Sequence, residues 1–241
     1  MKAWPMQIQV PDRWPTTPAE AIALQQTLAP QVILQDRLPD PVCYVAGVDA
    51  GFEDEGETTR AAVVVLSFPD LTPVDEVLVR RPTTFPYVPG LLSFREVPAV
   101  LDALAQLKTE PDVLLCDGQG IAHPRRLGIA SHLGLLCDRP TVGVAKSRLV
   151  GTHGEVPPDK GAWVPLMDRG DCIGAVLRNR ANTKPLYISL GHYMTLETAI
   201  ALVLRCTTKY RLPETTRYAD RLASSGTGQS ALGDAQQGRL F

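Results

Sequence analysis

The sequence predicts an α/β fold, a mixed central β-sheet flanked by α-helices. Three observations carry that expectation. Three strand-like segments follow one another early in the chain with no helix between them, a helical segment then separates them from a fourth strand, and strands and helices alternate from there on. At 241 residues the chain is long enough to bury a substantial core.

The first element is a helix. Thr17-Pro18-Ala19-Glu20 supplies an N-cap, a proline at the first helical position and a glutamate at the third, and the pattern ends near Pro30. It is expected to lie outside the sheet. Val42–Val48 is an apolar run that ends in Asp49, and Ala61–Phe68 is a second, with β-branched Val63, Val64 and Val65. Val74–Arg81 alternates apolar and polar side chains, as a strand with one wet face does. Connections 50–60 and 69–73 are short enough for antiparallel hairpins. A loop over 82–92 leads to a helix from Ser93 to Lys108, and Asp112–Cys116 forms a fourth strand ending at Asp117. A helix over Arg126–Leu136, strands at Thr141–Val144, Cys172–Leu177 and Pro185–Leu190, and a helix over Leu196–Cys206 follow. The Gly-, Ser-, Ala- and Gln-rich stretch Ser224–Gly238 reads as disordered. The expected division is one domain over 1–220 and a tail over 221–241. Three strands, a helix, a strand and further α/β units match the ribonuclease H-like arrangement.

Composition narrows the class. At 44% hydrophobic and 21% charged residues the chain reads as an ordinary globular protein. No run of eighteen apolar residues exists, which excludes a helical membrane span, and residues 1–10 lack the apolar core of a secretory signal. The expected compartment is the cytoplasm. The cysteines at 43, 116, 137, 172 and 206 form no Cys-x-x-Cys pair. Four of them adjoin Val, Leu or Ile, as small buried residues in a reducing compartment do, so neither a disulfide nor a zinc site is expected. A net charge of −2 means that any attraction for phosphate is local. Arg180, Lys184, Arg205, Lys209, Arg211 and Arg217 form one basic cluster and Arg125, Arg126, Lys146 and Arg148 another, each equally consistent with a solvated surface.

Acidic residues carry the chemistry. A carboxylate at the end of a buried strand is costly unless it meets a metal, a donor or water, and both Asp49 and Asp117 stand in such places. Glu96 lies in the first turn of the intervening helix. Neighbouring first and fourth strands would bring the three together at one edge of the sheet. Phosphodiester hydrolysis needs an activated water and a stabilised leaving oxygen, which hard cations held by a sparse carboxylate set supply. Each residue also has an ordinary explanation. Ser93-Phe94-Arg95-Glu96 fits a helix capping box, the favoured reading of Glu96 on local sequence alone. Asp49 suits a turn toward Gly51, and Asp117-Gly118 is a common turn pair. The joint placement favours catalysis.

The chain resembles the endonuclease V family from about Gln35 to Asp220. The resemblance rests on Ala46-Gly47-Val48-Asp49-Ala50-Gly51-Phe52, Thr59-Arg60-Ala61-Ala62 and Pro86-Tyr87-Val88-Pro89-Gly90-Leu91-Leu92-Ser93-Phe94-Arg95-Glu96. It continues in Asp117-Gly118-Gln119-Gly120, His123-Pro124-Arg125-Arg126-Leu127-Gly128, Gly143-Val144-Ala145-Lys146 and Arg211-Leu212-Pro213-Glu214. It implies a ribonuclease H-like fold and cleavage, dependent on magnesium with manganese as substitute, at the second phosphodiester 3′ to hypoxanthine in DNA. Asp49, Glu96, Asp117 and Asp220 then look like metal ligands, and Lys146 like the lysine beside the scissile phosphate. Pro86, Tyr87 and Pro89 resemble the family's wedge: the prolines stiffen the loop, and the ring fills the gap left by a flipped base. Gly90, Leu92, Gly118, Ile129 and Gly143 look like the lining of the base pocket.

Among the histidines, His123 beside the Gly-rich turn and His192 at a strand end are candidates for contact with nucleic acid, while His132 suits core packing. Gln119 stands where a well-known relative has histidine, which leaves its role open. The partner implied is DNA containing deoxyinosine, with inosine-containing RNA as the alternative substrate of the same site. A non-catalytic lesion-binding module would be missing a carboxylate, and this sequence keeps all of them. Nothing in the sequence signals an oligomer, so a monomer is expected.

Overall fold

The strand that begins at Tyr44 has neighbours on both sides, which explains its near-continuous apolar character. In the computed structural model, which describes residues 5–224, β1 (Tyr44–Glu53) pairs antiparallel with β2 (Thr58–Ser67) and parallel with β4 (Val113–Cys116). Strand β3 (Pro73–Pro82) closes one edge beside β2. Beyond β4 lie β5 (Thr141–Ala145), β8 (Leu186–His192), β7 (Asp171–Leu177) and β6 (Trp163–Asp168), giving an eight-stranded mixed sheet in the order β3-β2-β1-β4-β5-β8-β7-β6.

Period-two alternation assigns the faces. Ala46 and Val48 of β1 pack beneath α2 (Ser93–Leu104) and α3 (Ile129–Cys137), with Val97, Val100, Leu101, Leu104 and Leu133. Val45 points to the opposite layer, with α4 (Leu196–Arg205) and α5 (Glu214–Ser224). Helix α1 (Pro18–Leu28) stands outside the sheet, opened by the expected Thr17–Glu20 capping box. Its Ala21 joins Phe85, Leu91 and Phe94 in a small separate core.

Several boundaries differ from expectation for identifiable reasons. Strand β1 runs on through Asp49 to Glu53 because 50–53 keeps pairing with β2; what stops at Val48 is the pairing with β4. Helix α2 ends at Leu104 rather than Lys108, and the backbone N–H groups of Lys108 and Thr109 donate instead to the Asp75 carboxylate at 2.6 and 2.8 Å. Helix α3 starts at Ile129, since Arg126 takes a positive φ of 59°. Strand β6, unforeseen, carries Pro165 in mid-strand, a residue that an edge strand tolerates. Helix α5, also unforeseen, extends the fold to Ser224, so the first residues of the expected tail are helical; the remainder, 225–241, lies outside the described residues. Cys43 and Cys172 are exposed despite their apolar neighbours, whereas Cys116, Cys137 and Cys206 are buried. No helix among the described residues is long and apolar enough to cross a membrane.

Candidate active site

The backbone ladder sets the site. Val48 of β1 and Cys116 of β4 are the last parallel partners, and the N–H of Asp117 donates to the Val48 carbonyl at 2.9 Å. Asp49 and Asp117 therefore sit side by side where the two strands diverge. Alternation turns Asp49 to the α5 face, as it does Val45 and Gly47. A Cβ at Gly47 would lie 1.9 Å from the Thr215 carbonyl oxygen, so glycine is what lets the start of α5 press onto β1. One turn and a half further along that helix is Asp220. Asp49, Asp117 and Asp220 each offer a carboxylate oxygen, and the three atoms lie within 4.8 Å of one another.

Such a cluster is electrostatically expensive without a cation. Burial, then the Asp117 and Asp220 charges, push the Asp49 carboxyl up to about 7. Glu96 enters from α2 on the other face of the sheet; burial followed by the charges of Asp49 and Asp117 carries it to about 8. Burial raises Asp117 as well, although Lys146 pulls against it. The Lys146 Nζ stands 2.6 Å from Asp117 and 2.8 Å from Asp220. Its own burial opposes its charge, but these two carboxylates prevail and hold it protonated. The main chain of Lys146 is held in turn by Arg211, whose Nη2 donates to the Lys146 carbonyl at 3.2 Å.

Next to the carboxylates opens a cavity of about 400 Å³, which Glu96, Asp117 and Lys146 border on one side. Tyr87, Val88, Pro89, Gly90 and Leu92 form one wall, and Gly118, His123, Leu127 and Ile129 part of the other. The first wall is a loop pinned at both ends, by buried Phe85 and buried Leu91, while the Tyr87 ring between them is 69% exposed. A large aromatic ring left bare on the rim of a mostly apolar pocket is the feature that a base-stacking role requires.

The sequence matches the Endonuclease V family over residues 26–221. The chain belongs to that family. An endonuclease V from Trichormus variabilis is 64% identical over 220 residues, covering 91% of this chain and all of the relative. The crystal structure of the Streptomyces avermitilis endonuclease V superposes with a TM-score of 0.85 at 43% identity, over 95% of this chain and 99% of that one. The Ciona intestinalis endonuclease V, solved with a 24mer DNA containing an inosine followed by a ribo-adenosine, gives 0.73 at 30% identity, over 85% and 95% of the two chains. The ribonuclease H-like sheet is thus that of the endonuclease V structures, and metal-dependent nuclease chemistry comes with the family.

Within this endonuclease V fold the expected residues sort by position. Asp49, Asp117 and Asp220 form the close triad, Glu96 and Lys146 border it, and Tyr87, Pro89, Gly90, Leu92, Gly118, His123 and Ile129 line the cavity. Pro86 is exposed in the same loop without touching the cavity. The capping box at α2 does not form. The N-cap is Leu92, with no side-chain bond, and Ser93 Oγ instead meets His132 Nδ1 at 3.2 Å, which leaves Glu96 free for the site. Two residues are misplaced by the sequence reading. Gly143 lies behind the pocket, not in its lining: a Cβ there would come within 2.6–2.7 Å of Gly120 N and Gly118 O, so its smallness seats the 118–120 turn. His192 ends β8, which runs antiparallel to β5 and pairs with Thr141 at its start, so it sits at the far edge of the sheet. Buried there, it accepts the Ile33 N–H on Nδ1 at 3.1 Å. Gln119 lines the cavity and donates to the carbonyl of Ser147, another lining residue, at 3.0 Å. Sequence reasoning missed Arg211 as a strut: its donors reach three backbone carbonyls, a role that no local pattern encodes.

Proposed function

We propose that this protein is a DNA repair endonuclease that takes a hypoxanthine base into the cavity and hydrolyses the second phosphodiester on its 3′ side, acting as a monomer in the cytoplasm. The observation that carries the reading is the junction of an apolar, aromatic-rimmed cavity with a carboxylate triad. The triad suits a hard divalent cation: its donors are all oxygen, and an ammonium is already drawn between two of them. Asp49, Asp117 and Asp220 would hold magnesium, with manganese as substitute and Glu96 alongside. When bound, the ion supplies an activated water and offsets charge on the leaving oxygen. Tyr87 occupies the gap in the stack left by the extruded base, and unstacking costs least at a poorly paired lesion. Lys146 places a positive charge at the mouth of the cavity, where a phosphate oxygen arrives.

The test is a labelled duplex carrying one deoxyinosine, incubated with magnesium or with chelator. A single metal-dependent nick 3′ to the lesion, lost in Asp49→Ala and Asp117→Ala, is expected. Cleavage that survives both substitutions would remove the triad from the reaction, and cleavage confined to inosine-containing RNA would reassign the substrate.

A further inference from the structure

Besides its two buried ends, the wall that carries Tyr87 is tied to its surroundings at one backbone atom, the carbonyl oxygen of Gly90. Three side chains donate to it: Gln25 Nε2 at 3.0 Å, His123 Nε2 at 2.9 Å and Arg125 Nη2 at 2.8 Å. Gln25 is fully buried and reaches this atom from α1, outside the sheet. The second hydrogen of its amide goes to the Leu127 carbonyl at 3.1 Å, and its oxygen accepts from Arg125 Nε. One amide thereby joins two separate segments that line the cavity, since Gly90 belongs to the 87–92 loop and Leu127 to the turn that precedes α3.

The neighbours leave little freedom. Gly90 has a φ of +77°, and a Cβ there would come 3.0 Å from Arg125 Nη2, so the turn accepts no side chain without strain. His123 accepts the Arg125 N–H on Nδ1 at 3.2 Å while Nε2 donates to Gly90, which both hold only for a neutral ring protonated on Nε2. Burial favours that form.

We propose that Gln25 is a positioning residue that sets the separation of the two lining segments and so contributes to selection of the base. The proposal rests on the reading of the cavity as a base pocket. Gln25 touches neither substrate nor carboxylates; it acts through Gly90 and Leu127.

Gln25→Met keeps the volume and removes every hydrogen bond, whereas Gln25→Glu keeps an acceptor for Arg125 but has nothing to donate to the two carbonyls. Affinity is measured in chelator, so that no strand is cut, for duplexes that differ only in deoxyinosine against deoxyguanosine. Guanine carries an extra exocyclic amine and thus tests the width of the pocket. Both variants are expected to lose about tenfold in affinity for the deoxyinosine duplex and little for the other, with manganese affinity in the absence of DNA unchanged. If Gln25→Met does not fold, as thermal denaturation would reveal, Gln25→Glu carries the comparison. Unaltered discrimination in a folded variant, or equal weakening on both duplexes, would overturn the role of Gln25 alone. Absence of discrimination in the unmodified protein would overturn the base-pocket reading and this proposal with it.

Discussion

Lys146 joins the two halves of the site, since its ammonium neutralises two carboxylates and also borders the cavity. Lys146→Met is expected to slow cleavage of the deoxyinosine duplex about 10²–10³-fold at saturating metal, the usual cost of deleting a charge aimed at the reacting centre. It should also lower the melting temperature in chelator, where Asp117 and Asp220 are left to repel, and much less in magnesium. Single-turnover rates and paired melting curves check both, and an unchanged rate would place Lys146 outside the reaction. Tyr87→Ala should show the opposite pattern. The ring is mostly exposed, so stability should hold within about 0.5 kcal/mol, while affinity for the lesion duplex drops by about 1–3 kcal/mol through lost stacking; equilibrium binding decides. At this scale legibility followed cost. Asp49 and Asp117 stood out because a carboxylate beside a buried strand needs a partner. Asp220 carried no such sign in its polar surroundings, and its place depends on a contact with Gly47 far away in sequence. His192 misled because the end of a strand says nothing about which edge of the sheet it faces until the neighbour's direction is known.

Strands β1 and β4 and helix α5 act as a unit at the next scale. The first two fix two carboxylates through main-chain pairing, and the helix adds a third only by lying almost against the backbone of β1. Gly47→Ala tests that arrangement. With 1.9 Å between the new Cβ and the Thr215 oxygen, α5 must lift. A loss of about 1–3 kcal/mol in stability is expected, with weaker manganese binding because Asp220 moves with its helix. Urea denaturation and metal titration measure the two, and intact metal affinity would show that α5 does not need this close approach. Most elements were readable from periodicity: the apolar runs of β1 and β2, the alternation of β3, and the buried stripe of α2 reappear at nearly their expected places. Strand β6 was hidden by its proline, and the helical pattern did not run on to Lys108 because the Asp75 carboxylate, from the strand β3 beside α2, takes the amides of Lys108 and Thr109. Such terminations are tertiary and leave no trace in the local sequence.

For the whole molecule, the raised carboxylates make stability depend on pH in a definite direction. Asp49 moves from 3.8 to about 7 and Glu96 from 4.5 to about 8. Between those values the folded protein holds protons that the unfolded chain has released. These two groups therefore favour folding most at the acid end and lose that contribution as pH rises through 7 and 8. In chelator the melting temperature should decline from pH 5 to 9 more steeply than in Asp49→Asn, and magnesium should restore it at the alkaline end. Parallel profiles for the two proteins would contradict the assignment. A net charge of −2 gave no hint of a nucleic-acid partner, because the relevant cations are few and local, and several of the candidates serve the protein itself: Arg126 pairs with Asp168 and Arg217 with Glu214. The order in which the chain leaves the ribosome adds a last consequence of the position of Asp220. All eight strands and the cavity walls precede α5 in the sequence. A nascent chain therefore carries the residues of its pocket while still lacking one carboxylate, and the triad is complete only when synthesis has passed residue 220 and the final described helix has docked.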